Sequence, residues 1–138
     1  MTHRTRQLAL VTSIAAVGVV VAVGGWWYHG LLPRRFAPVV AGHLYRSGEV
    51  TPAQLVRLRD DYGIRRVISL LNPDAPVSVA EREAAAKLGL EWHSVPLPGD
   101  GASTPTDRAR LLELLGDPNT TTTLVHCAAG VNRTGLAV

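Results

Sequence analysis

The segment that most constrains this chain is HCAAGVNRTG, at residues 126–135. The five residues before it, TTTLV, are β-branched or apolar and predict a buried strand, and the GLAV that starts at its last glycine predicts the first turn of a helix. Backbone N–H groups converge in such a loop, and the helix N-terminus adds partial positive charge. The segment therefore predicts an anion-binding loop between a strand and a helix.

The side chains of this segment add chemistry to the loop. A cysteine in such a field has its pKa lowered from about 8.5 to roughly 3.5–7.5, so Cys127 is predicted to be a nucleophilic thiolate. Arg133 follows six residues later, and its planar fork can bind two oxygens of a phosphate or sulfate. Cys127 is the single cysteine of the chain, which excludes an intramolecular disulfide and favours use as a reactive thiol.

The pattern HC-x-x-G-x-x-R-T-G resembles the signature loop of the cysteine-dependent protein tyrosine phosphatases, most closely the compact dual-specificity type. The resemblance implies that Cys127 forms a phosphocysteine intermediate and that Arg133 clamps the phosphate. It implies that Thr134 assists departure of the thiolate and that His126 supports the loop and the low thiol pKa. The substrate-binding residues implied by the loop are His126, Ala128, Ala129, Gly130, Val131, Asn132 and Arg133.

The resembled family takes a general acid from an aspartate on a loop upstream of the cysteine. Asp100, in LPGDGAST, has this setting, because it lies in a glycine-flanked loop before the helix that precedes the cysteine strand. Asp107 is the alternative, although its position three residues after the predicted N-cap Thr104 suits a helix cap. Asp100 is the preferred acid.

The rest of the chain alternates strands and helices, which predicts an α/β fold with a mostly parallel central sheet flanked by helices. Strands are predicted within residues 42–48, 64–71 and 90–97 and from residue 121. Helices are predicted to start at three N-caps: Thr51 with Gln54, Ser78 with Glu81, and Thr104 with Pro105. In the resembled family further helices follow the signature loop, so the resemblance implies a chain that is incomplete at its C-terminus.

The N-terminal part is predicted to be a membrane anchor. Residues 8–28 form a 21-residue run without charge, ending in Trp26, Trp27 and Tyr28, and about 20 such residues span a bilayer. The predicted order is a basic tail (1–7), a transmembrane helix (8–28), a linker (29–40) containing Pro33 and Pro38, and a phosphatase domain (41–138). A cleaved signal peptide is the alternative, and the orientation only slightly favours a cytoplasmic tail.

The functional prediction is a phosphatase that hydrolyses phosphate monoesters without a metal or cofactor. The net charge of +3 and the five scattered histidines indicate neither nucleic-acid binding nor a metal site. The loop positions Ala128, Ala129, Val131 and Asn132 carry no charge, so phosphotyrosine or phosphoserine/threonine proteins are the expected substrates, ahead of a small phosphate ester. The alternatives are a rhodanese-like sulfurtransferase and a catalytically silent, membrane-tethered phosphate-binding module.

Overall fold

A computed structural model describes residues 3–116 and 121–138, without the side chains of residues 3–11 and 26–29. The chain forms two compact units, the first of which contains helix α1 (His3–Leu31). The second, Leu32–Val138, is an α/β domain. Its described strands are β1 (Ala37–Val40), β2 (Leu44–Ser47), β3 (Arg66–Ser69), β4 (Glu91–Ser94) and β5 (Thr123–His126), and its described helices are α2 (Pro52–Tyr62), α3 (Pro76–Lys87), α4 (Pro105–Leu115) and α5 (Asn132–Ala137).

The described strands form one sheet in the order β1-β2-β5-β3-β4. The pairs β2–β5, β5–β3 and β3–β4 are parallel, but β1 pairs with β2 in antiparallel orientation. The sheet is therefore mixed, which corrects the prediction of a mostly parallel sheet. Strand β1 also occupies residues 37–40 of the predicted linker. Pro38 favours a linker by sequence, yet an edge strand tolerates proline, and Gly42 (φ 77°) provides the reversal.

Two apolar layers cover the sheet. On one face, Leu124 of the central strand β5 packs in a cluster with Leu55 and Leu58 of α2 and Ala85 of α3. On the other face, Val125 packs in a cluster that includes buried leucines of α4 and Cys127. The central strand is thus buried on both faces, as expected for a parallel strand with helices on either side. This burial fixes the position from which the signature loop leaves the sheet.

Two of the three predicted helix starts are confirmed. Thr51 caps α2 and Thr104 caps α4, each with a complete capping box and a proline in the first turn. The predicted cap at Ser78 is wrong, because α3 begins at Pro76, two residues earlier, and Ser78 is buried inside it. The carboxylate of Glu81, which was expected to complete that capping box, instead makes contacts in the core.

The predicted membrane anchor, residues 8–28, falls within helix α1. The side chains of Trp26, Trp27 and Tyr28, which were expected to form an interfacial belt, lie outside the described residues. Across the part of the chain that the structure describes, no helix has the length and apolar character needed to cross a membrane.

Candidate active site

The signature loop emerges where three parallel strands end together. In the sheet register, His126 of β5 lies opposite Ser47 of β2 on one side and Ser69 of β3 on the other. Residues 127–131 therefore leave the sheet at its carboxyl edge, between β5 and the start of α5 at Asn132. Binding sites in sheets of this kind lie at this edge, because the loops there converge.

The turn after β2 packs against the signature loop and forms a backbone hydrogen bond with it. The Glu49 N–H donates a hydrogen bond to the Ala128 carbonyl at 3.1 Å. Gly130 has a φ of 70°, and a Cβ at this position would lie 2.6 Å from the Gly48 nitrogen and 2.7 Å from the Ser47 carbonyl carbon. Only glycine fits this close approach and this left-handed conformation. The residue type of Gly130 is therefore dictated by the path of the loop.

Cys127 lies at the base of this loop and is 3% exposed. Its Sγ accepts a hydrogen bond from the Gly130 N–H at 3.1 Å. Burial raises the pKa of the thiol, but hydrogen bonds from the Thr134 hydroxyl and backbone outweigh this, and the N–H groups of Gly130 and Val131 add to their effect. The net pKa of Cys127 is therefore below its ordinary value, because several donors stabilise the thiolate.

Thr134, the third residue of α5, is fully buried. Among the described residues, its Oγ1 has no partner at full hydrogen-bond geometry, yet its hydroxyl is the main donor that lowers the Cys127 pKa. The Thr134 hydroxyl rotates about its C–O bond, so its hydrogen can turn toward the Cys127 Sγ. The Thr134 hydroxyl can therefore donate to the Cys127 Sγ when the sulfur carries negative charge, and its role in catalysis stays a prediction.

Arg133 is held over the loop by a neighbouring segment. Its Nε donates to the Pro98 carbonyl at 2.9 Å, and a Cβ on Gly99 would lie 3.4 Å from one of its terminal nitrogens. This leaves the guanidinium at the edge of a cavity of about 110 Å³. The cavity is lined by Gly99, Cys127, Ala128, Ala129, Val131, Asn132 and Arg133. The structure therefore brings most of the predicted loop residues together around one small pocket.

His126 differs from the other predicted substrate-binding residues, because it is fully buried behind the loop. Its Nε2 lies 2.9 Å from Oε1 of Glu81 on α3, and the same oxygen accepts the indole N–H of Trp92 at 2.7 Å. Glu81 is also fully buried. The His126 side chain has no exposed surface and lies behind the loop, which suits the predicted support of the loop better than direct contact with a substrate.

The two candidate acids have different environments. The Asp107 carboxylate accepts hydrogen bonds from the Thr104 hydroxyl at 2.7 Å and from its N–H at 2.8 Å, and these bonds lower the pKa of Asp107. A carboxyl group that is tied up in this way and holds its proton weakly is a poor general acid. Asp100 is exposed, and its Oδ1 accepts only the Ala102 N–H, at 2.9 Å, in the hydrogen bonds described.

The loop that contains Asp100 lies against helix α5. A Cβ on Gly101, which has a φ of 86°, would meet the Leu136 side chain and come within 3.4 Å of the Asn132 carbonyl. Gly99 lines the small pocket directly. The Asp100 carboxylate itself does not line this pocket, so its assignment as the acid stays a prediction that requires a movement of the loop.

Two residues near the loop were not predicted from the sequence. The Arg35 guanidinium donates to the Ala129 carbonyl at 2.8 Å, and Arg35 has a φ of 54°, a strained value for a residue other than glycine. Glu49 lines a second, larger cavity beside the loop. No motif marks Arg35 or Glu49, since both contacts arise only when distant segments of the chain meet.

No protein-family model and no curated protein matches the chain, so likeness to known proteins rests on structure and on the signature loop. The fold is similar to the core catalytic domain of the PP-IP phosphatase SIW14 from S. cerevisiae, with a TM-score of 0.66 and 22% identity over 77% of this chain and 63% of that one.

Two further solved structures are similar. TpbA from P. aeruginosa gives a TM-score of 0.55 at 26% identity over 70% of this chain and 55% of that one. Kinase associated phosphatase gives 0.58 at 16% identity, over 68% and 61%. The chain thus spans 55–63% of the length of these three solved chains. The second unit thus has a fold similar to that of these solved chains, and its segment with Cys127 and Arg133 resembles the signature loop of the cysteine-dependent protein tyrosine phosphatases of the dual-specificity type.

Proposed function

We propose that this chain hydrolyses phosphate monoesters through a phosphocysteine intermediate on Cys127. The observation that carries the proposal is the lowered pKa of a cysteine that shares a small pocket with Arg133. A thiolate is a strong nucleophile near neutral pH, and an arginine fork binds the oxygens of a phosphate in a fixed orientation. Nucleophile and clamp in one pocket are the minimum that phosphoryl transfer to a cysteine requires.

In the first step, the Cys127 thiolate attacks phosphorus and the ester P–O bond breaks. The leaving oxygen takes a proton from a general acid, for which Asp100 is the proposed residue. Arg133 and the loop N–H groups stabilise the charge on the equatorial oxygens. In the second step, water attacks phosphorus and the P–S bond breaks, giving inorganic phosphate. The Thr134 hydroxyl assists this step, because it can donate to the sulfur as negative charge returns to it.

The proposed substrates are phosphotyrosine or phosphoserine/threonine side chains. Four exposed loop positions, Ala128, Ala129, Val131 and Asn132, provide no cation to meet a second phosphate. Each charge-assisted contact that is missing would have been worth roughly 1.5–3 kcal/mol to a polyanion. Among similar proteins, SIW14 is a PP-IP phosphatase, and a cysteine-to-serine form of P. aeruginosa TpbA is solved in complex with pTyr at 25% identity to this chain. The uncharged loop favours the second kind of substrate.

The test is hydrolysis of para-nitrophenyl phosphate by the full chain, by Cys127→Ser and by Arg133→Lys, each with and without a metal chelator. Wild type should release phosphate in both conditions. Cys127→Ser should lose turnover but still bind vanadate, since the loop N–H groups and Arg133 remain. Arg133→Lys should lose both, because an ammonium cannot replace the bidentate fork.

Three results would contradict the proposal. One is turnover by Cys127→Ser close to the wild-type rate. Another is activity that disappears with chelator and returns with a divalent cation, which would indicate metal-assisted hydrolysis. The third is sulfur transfer from thiosulfate that exceeds phosphate release, which would indicate the sulfurtransferase alternative.

A further inference from the structure

The signature loop separates two cavities that share residues. Besides the pocket of about 110 Å³ around Cys127, a cavity of about 560 Å³ opens next to it. Ala128 and Arg133 line both. The small pocket has room for a phosphoryl group alone, so the organic part of a bound phosphoester must extend outside it. The larger cavity is the adjoining space that can receive this part.

The walls of the larger cavity are mainly apolar. They come from the loop between β3 and α3, from the first turn of α3 and from the chain after β4, and include Leu71, Ala75, Val77, Pro96, Leu97 and Pro98. Leu71 and Leu97 are also members of the buried core cluster on that side of the sheet. An aliphatic or aromatic group can therefore be buried here beside the reacting phosphate.

Only two charged side chains, Glu49 and Arg133, line this cavity in the described part of the chain. Arg133 is committed to the phosphate in the proposed function. Glu49 is held next to the loop by the hydrogen bond from its N–H to the Ala128 carbonyl. The charged side chain of this cavity that remains to act on the organic part of the substrate is consequently the carboxylate of Glu49.

We propose that this cavity binds the organic part of the substrate and that Glu49 selects a positively charged group close to the phosphate, as in a phosphopeptide with lysine or arginine next to the phosphoresidue. This proposal rests on the proposed phosphatase function. A carboxylate attracts a cation and repels a second anion across the same few ångströms. Glu49 is therefore a specificity residue that the uncharged signature loop does not supply.

The experiment measures kcat/KM for three phosphotyrosine peptides that differ only in the neighbouring residues, which are lysine, alanine or glutamate. Wild type should prefer the lysine peptide over the glutamate peptide by about tenfold. Glu49→Gln, which keeps the shape and removes the charge, should reduce this ratio at least about threefold. Glu83→Gln is the matched control, because Glu83 is exposed on α3 and lines neither cavity. Its ratio should equal that of wild type.

A Glu49→Gln ratio equal to wild type would overturn the proposal, as would a wild-type preference for the glutamate peptide. Affinities of the same peptides for Cys127→Ser and for Cys127→Ser/Glu49→Gln separate this failure from failure of the proposed function. If wild type released no phosphate from any peptide, the phosphatase proposal would fail, while the binding ratio would still decide the role of Glu49. Equal affinities in the two variants, or no binding at all, would overturn that role.

Discussion

Replacement of Glu81 is predicted to destabilise the domain strongly, although Glu81 lies outside the pocket. Its Oε1 accepts both the indole N–H of Trp92 and the Nε2–H of His126, at 2.7 and 2.9 Å. Glu81→Ala removes the acceptor of both bonds and leaves two donors unpaired, one of them on a fully buried side chain. The orphaned, fully buried His126 donor costs about 1–3 kcal/mol and the lost bond of the partly exposed Trp92 about 0.5–1.5 kcal/mol, so the free energy of unfolding should fall by about 1.5–4.5 kcal/mol.

Two milder substitutions sharpen this prediction. Both bonds end on one oxygen, and Oε2 of Glu81 has no hydrogen-bond partner in the described residues. Glu81→Gln keeps an oxygen that can accept both bonds, so it should cost less than half as much as Glu81→Ala. Trp92→Phe removes one donor together with its bond, so it should cost about 0.5–1.5 kcal/mol.

The assay is urea unfolding of the full chain followed by far-ultraviolet circular dichroism, with Glu83→Ala as the control. Glu83 is exposed on the same helix, and its replacement should change stability by no more than about 0.5 kcal/mol. A loss below about 1 kcal/mol for Glu81→Ala would refute the reasoning, because the two bonds would then carry no net energy. If Glu81→Gln were as damaging as Glu81→Ala, the negative charge and not hydrogen bonding would hold His126 in place.

Three other predictions concern the loop. Arg35→Gln, which removes the hydrogen bond to the loop, should weaken vanadate binding about two- to tenfold. Arg34→Gln makes the same charge change on an exposed neighbour and should have no effect on vanadate binding. Equal effects of the two substitutions would assign the loss to charge alone. Asp100→Asn should flatten the basic limb of the pH–rate profile for a substrate with a poor leaving group. Asp107→Asn should leave that limb unchanged and lower the stability of the domain by about 0.5–2 kcal/mol, because it weakens a helix cap. The reverse outcome would make Asp107 the acid. The pKa of Cys127 is lowered in the folded state, so the thiolate stabilises the fold fully above the pKa of the unfolded chain, and this stabilisation disappears as the pH falls through the folded pKa. Cys127→Ser should therefore flatten this part of a plot of stability against pH. An unchanged slope would contradict the lowered pKa.

Local signals in the sequence were sufficient for most elements of the fold. Thr51 and Thr104, each followed by a proline and by a side chain that closes a capping box, fixed two helix starts correctly. The third was placed too late, because Ser78 and Glu81 have the same spacing as a capping box while Pro76 starts the helix. Local spacing cannot show that a carboxylate is needed elsewhere, in this case as the partner of His126.

The residues missed around the site share one physical cause. Arg35 contacts Ala129 across 94 positions of sequence, and Glu49 reaches the larger cavity only because the turn after β2 is bonded to the loop. The strand β1 was missed for a related reason, since its pairing partner β2 and not its own composition makes it a strand. By contrast, Cys127 and Arg133 lie only six residues apart, in a segment whose geometry follows from the strand β5 before it and the helix α5 that Arg133 belongs to.

The most direct test of the central claim is to capture the covalent intermediate. The full chain is mixed rapidly with a phosphotyrosine peptide, quenched in acid, digested, and the peptide containing Cys127 is examined by mass spectrometry. A phosphoryl group on Cys127 that forms within one turnover and decays as phosphate is released is the predicted result, with a longer lifetime in Thr134→Ala. Phosphate release without any phosphoryl group on Cys127, or with the group on another residue, would contradict the mechanism.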